Sequence, residues 1–169
     1  MAADLMSMKQ IHGAVLLLAG ALLGGCNVSV SQDVAAAPRP VEYYPTTMKA
    51  DPPLPYSEAV RVGDTLYLAG QLGVAPGAKA VVPGGIGPET RQVMDNIQAV
   101  LARHGSSLDH VVKCSVFLAD IKEWPAFNEV YRQYFKKNFP ARSAFATTGL
   151  AWGARVEVEC IAYIPPTTP

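Results

Sequence analysis

The stretch Arg155-Val156-Glu157-Val158-Glu159-Cys160-Ile161-Ala162-Tyr163-Ile164 alternates along its whole length. Successive side chains of a strand point to opposite faces. Val156, Val158, Cys160 and Ala162 therefore share one side, and Glu157, Glu159, Ile161 and Tyr163 share the other. The first side is core. The second starts charged and turns apolar, as suits a subunit boundary, a cleft or a half-wet sheet surface.

Reading backward, residues 143–148 predict a further strand, joined to the last by a loop around Trp152-Gly153. Trp124, Phe127, Val130, Tyr131, Tyr134 and Phe135 recur at helical spacing and predict a helix over 123–137, with Pro125 tolerated in its first turn. Residues 111–118 read as a strand with Val112, Cys114, Val116 and Leu118 on one face. Val93, Ile97, Val100, Leu101 and His104 mark an amphipathic helix entered at Pro88 and stopped at Gly105. Glycines and prolines make 73–87 a loop. Two β-prone runs, 59–62 and 65–69, flank Gly63-Asp64 as a hairpin. The order ββαβαββ predicts an α+β domain with helices over one face of a mixed sheet.

Several function classes are disfavoured. Among 169 residues, Lys+Arg and Asp+Glu both total 14, which gives no basic stripe for nucleic acid. Gly84-Gly85-Ile86-Gly87 lacks the strand-to-helix context of a dinucleotide fingerprint. His12, His104 and His110 do not cluster with carboxylates at metal-ligand spacing, and His104 reads as a helix-terminal residue. No metal or organic cofactor is expected. Cys114 and Cys160 read as small core residues, and a disulfide between them stays open if the compartment is oxidising.

The N-terminal segment has its own logic. Lys9 precedes an apolar run, 14–23, whose roughly ten residues suit a signal h-region but not a membrane span. Asp4 sits badly in a signal n-region, so Met6 and Met8 are alternative starts. Leu23-Gly24-Gly25-Cys26 resembles the bacterial lipobox, which makes Cys26 the expected lipidation site and membrane anchor. Residues 1–26 are thus read as a lipoprotein-type signal peptide, and the expected location is the periplasm. Asn27, where an aspartate would favour inner-membrane retention, points to the outer membrane. Residues 27–53, rich in Ser, Ala and Pro, read as a tether, and 54–166 as the domain.

Pro55-Tyr56-Ser57-Glu58-Ala59, Ala69-Gly70-Gln71, Asn128-Glu129-Val130-Tyr131, Pro140-Ala141-Arg142-Ser143 and Val156-Glu157-Val158-Glu159 occur in one order along the domain. Together they resemble the RidA/YjgF family. The resemblance implies a chorismate-mutase-like fold, a homotrimer with clefts between subunits, and cofactor-free hydrolysis of 2-iminopropanoate and 2-iminobutanoate to 2-keto acids and ammonia. It assigns catalysis to Arg142 and Glu157, and substrate contacts to Tyr56, Gly70, Asn128 and Ala144. Two positions depart from the pattern. Ala69 replaces a usual serine, and Ala144 a cysteine found in some members.

The residue chemistry fits independently. A guanidinium fork grips a carboxylate in two places, and a nearby carboxylate such as Glu157 orients or deprotonates water. Two other readings use the same residues: a non-catalytic binder of small carboxylates or a protein partner, and an endoribonuclease.

Overall fold

The computed structural model describes residues 39–166. The segment read as a signal peptide, with Cys26, lies outside the described residues. The β2 (Ser57–Val62) to β3 (Thr65–Leu68) hairpin turns at Gly63-Asp64, where Gly63 takes a φ of 58° that a glycine accommodates without steric cost. β1 (Val41–Pro45) precedes it. The rest runs β4 (Gln71–Leu72), α1 (Ile86–Arg103), β5 (Val111–Leu118), α2 (Trp124–Tyr131), β6 (Ala141–Ala146) and β7 (Val156–Tyr163).

All seven strands form one sheet of order β1-β2-β3-β7-β5-β6, with β4 also on β7. Only β5 and β6 run parallel, because α2 carries the chain back over the sheet between them. Val93, Met94, Ile97 and Leu101 of α1 and Phe127 and Tyr131 of α2 join one core with Leu66, Val116, Val156, Val158 and Ala162. Both helices therefore cover the same face of a mixed sheet, as the element order predicts. Gly105 closes α1 as expected: at φ 76°, it places the Ser106 N–H on the Leu101 carbonyl at 2.8 Å.

Three local expectations are corrected, and one left open is decided. The segment read as tether contains β1, which pairs antiparallel with β2, so the sheet begins inside 27–53. The second helix stops at Tyr131, because Gln133 and Tyr134 bond to Val130 and Tyr131 in tighter i→i+3 turns. These turns preserve enough of the period to bury Phe135. Val112 is exposed and Val111 buried, since a register shift against β7 between Val111 and Lys113 interrupts the alternation. Finally, Cys114 and Cys160 lie directly opposite each other on β5 and β7 and form a disulfide, with Cα atoms 4.1 Å apart. They are buried, as the small-core reading holds, and they are also joined.

The cross-link has a sequence separation of 46 residues, for which loop-closure entropy implies stabilisation of about 4 kcal/mol. A reducing agent is expected to lower the denaturation midpoint of the wild type. The Cys114→Ala/Cys160→Ala variant should start lower and show no response, as thermal unfolding with and without dithiothreitol would measure.

Candidate active site

The predicted site residues fall into two groups. Arg142 lies on β6 in register with Cys114, whose side chain is in the core. It consequently points to the helix-covered side, where its guanidinium carbon sits 4.7 Å from the Tyr131 ring centroid and 5.5 Å from that of Phe127. Asn128, between those two residues on α2, is half-buried. Ala144 continues the same face of β6 opposite the buried Val116 and packs against the core. Arg61, Arg103, Arg132 and Arg155 each meet a glutamate. Arg142 has no carboxylate partner among the described residues. A half-buried fork of N–H donors without an anion is chemically an acceptor site for one.

The second group surrounds Glu157. Three residues from Cys160 on β7, Glu157 faces the opposite side of the sheet. Its carboxyl packs on Gly70, where any Cβ would collide with it. Gly70 owes its place to the β3–β4 segment. The Ala69 N–H bonds to the Glu58 carbonyl at 3.0 Å. Further along, Asn96 of α1 donates to the carbonyls of Leu72 and Val74 at 3.0 and 2.9 Å. Asn96 is a positioning residue that the sequence reading missed; a polar residue among the helical repeats was its only signal. Tyr56 stands just before β2, exposed, with its hydroxyl on the Met48 sulfur at 3.7 Å. The register places it beside the Gly70 end of the sheet.

Burial pushes the Glu157 carboxyl above the usual range, and repulsion from Glu159 adds to this. Burial also raises the Tyr131 phenol to about 12, against the opposing field of Arg142. Among the described residues no group of His, Cys, Asp and Glu is arranged to hold a metal.

Within one chain the two groups do not converge. Arg142 and Glu157 lie on opposite faces, two strands apart. Tyr56 is four strand steps from β6, roughly 19 Å at ordinary strand spacing.

Residues 47–164 match the family model described as Endoribonuclease L-PSP. The chain belongs to the RidA/YjgF family. It is 46% identical over 114 residues to the goat 2-iminobutanoate/2-iminopropanoate deaminase, covering 68% of this chain and 83% of the relative. The solved structure of yeast YEO7 is 40% identical with a TM-score of 0.65, covering 76% of this chain and 98% of that one. RidA from the Antarctic bacterium Psychrobacter is 35% identical with a TM-score of 0.64, covering 75% and 98%. The RidA fold thus accounts for the mixed sheet and its helices.

Because its folded-state pKa is raised, the ionised form of Glu157 costs stability at neutral pH. That cost vanishes as pH falls below the unfolded-state value. Glu157→Gln is expected to raise Tm at neutral pH and to leave it unchanged near about pH 3, where the carboxyl is protonated in both states. A Tm series against pH for both proteins checks the sign.

Proposed function

We propose that this chain hydrolyses 2-iminopropanoate and 2-iminobutanoate to the corresponding 2-keto acids and ammonia. The carrying observation is the Arg142 guanidinium, half-buried on aromatic rings with no anionic partner among the described residues; the family resemblance assigns the carboxylate-binding arginine to this residue. A 2-imino acid brings the missing carboxylate. With that end held in a two-point contact, the C=N carbon lies a few ångströms beyond it.

Glu157 supplies the other reactant. Its raised pKa keeps it more basic than an ordinary carboxylate, which favours removal of a proton from an attacking water. The water oxygen bonds to the imine carbon as the C=N π pair moves to nitrogen, giving a tetrahedral carbinolamine. Proton return to nitrogen, loss of the C–N bond and deprotonation of the hydroxyl release ammonia and the keto acid. Substrate, water and products balance without a cofactor. The curated goat relative carries the same activity in its name. Although the family description mentions an endoribonuclease, the balanced charge of this chain argues against RNA.

The separation of Arg142 from Tyr56, Gly70 and Glu157 supports a site completed between copies, in the homotrimer that the family resemblance implies. One subunit would present the β6–α2 group and its neighbour the Gly70 and Glu157 group. Arg142→Ala and Glu157→Ala are each expected to lower kcat/KM for freshly generated 2-iminopropanoate at least about 100-fold. Co-expressing the two variants should restore activity to about a quarter of wild type, since a random mixture pairs intact halves at one interface in four. No recovery in isolated mixed oligomers would place both groups in one subunit's site.

We further propose that the protein is exported and lipid-anchored through Cys26, with residues 27 to about 39 as spacer. The buried Cys114–Cys160 disulfide supports this reading, because cytosolic thiols are ordinarily kept reduced. Cys26→Ser is expected to move the protein from the membrane to the soluble periplasmic fraction. Recovery of the wild type wholly in the cytosol, with both thiols free, would overturn it.

A further inference from the structure

We infer that Tyr131 is a positioning residue that sets the affinity of the site for carboxylates by holding the Arg142 guanidinium over its ring. The inference rests on the reading of Arg142 as the carboxylate anchor and adds a residue that acts through it.

An arginine on an exposed edge strand samples many rotamers and must surrender that freedom to grip a carboxylate. Here the freedom is already removed. The guanidinium carbon lies 4.7 Å from the centre of the Tyr131 ring, inside the range of a cation–π contact, and 5.5 Å from Phe127. A ring attracts the cation without taking a hydrogen bond from it, and among the described residues no ion pair uses the Arg142 N–H groups that a carboxylate needs. The platform is itself rigid. Phe127 and Tyr131 are 0% and 3% exposed, and the row continues as Tyr131 packs on Phe135 at 4.9 Å.

The hydroxyl of Tyr131 shows which part of the residue acts. It is buried and has no hydrogen-bond partner among the described residues, and burial raises its pKa to about 12, so it remains a neutral phenol at working pH. With its oxygen shielded from solvent, it is poorly placed to reach substrate. The ring, not the hydroxyl, meets Arg142.

Three variants separate the possibilities. Tyr131→Leu removes the ring, and Tyr131→Phe removes only the hydroxyl. Phe135→Leu disturbs the same aromatic row without touching the guanidinium. Each is assayed for Tm, for pyruvate Kd by calorimetry, and for KM and kcat with 2-iminopropanoate. Tyr131→Leu is expected to weaken pyruvate binding and raise KM about tenfold, with a much smaller change in kcat. Tyr131→Phe should keep wild-type affinity with equal or higher Tm, because an unsatisfied buried hydroxyl is removed. Phe135→Leu should lower Tm and leave Kd unchanged.

Equal loss of affinity in Tyr131→Phe and Tyr131→Leu would overturn the inference by making the hydroxyl the operative group. So would an unchanged Kd in Tyr131→Leu, or a Phe135→Leu effect on Kd as large as that of Tyr131→Leu. A wild type that binds pyruvate but turns over no imine defeats the deaminase reading alone, and the Kd comparison still tests the platform.

Discussion

The alternation of β7 is the constraint from which the rest of the structure follows. The strand sits inside the sheet, paired with β3, β4 and β5, so its register is fixed from both sides. Val156, Val158, Cys160 and Ala162 must meet the helices, and a one-residue slip would drive glutamates into that core. With one face committed, Glu157 and Glu159 share the other at i,i+2 spacing. The raised pKa of Glu157 is a consequence of sheet geometry: burial disfavours its charge, and a like-charged neighbour adds to the penalty.

The same sheet separates that carboxylate from the Arg142 cation. Were the two side chains within reach in one chain, they would form an ion pair, neutralising the anion site and pulling the carboxyl pKa down. On opposite faces, neither pairs with an opposite charge among the described residues, and each carries a cost in isolation. Aromatic rings offset part of the desolvation of Arg142. Among the described residues nothing comparable serves Glu157, whose carboxyl rests on a glycine. Such uncompensated groups are a common mark of functional sites.

Legibility in the sequence tracked the strength of local periodicity. The long elements were readable because each buries one face with a sustained period: Val93, Ile97 and Leu101 on α1, and Cys114, Val116 and Leu118 over the regular part of β5. Reading failed where tertiary contacts replaced that pattern. β1 is almost wholly exposed and exists through its ladder to β2 and the stacking of Tyr44 on His104, neither of which leaves an apolar signature. β4 has only two residues. Alternation misassigned Val112 because a local register shift is invisible without the partner strand.

Sequence alone determined the fold class, the buried face of β7 and the chemical types at Tyr56, Gly70, Asn128, Arg142 and Glu157, since these follow from local period and from motifs short enough to be contiguous. Tertiary structure decided three matters that depend on register between distant segments. It brought Cys114 opposite Cys160, set Arg142 on the rings of α2, and placed Arg142 and Glu157 on opposite faces. Alternation fixes the parity of a strand wherever no register shift interrupts it. Which residue of one strand stands beside which of another depends on pairings across the chain, and these emerge only when the sheet is assembled.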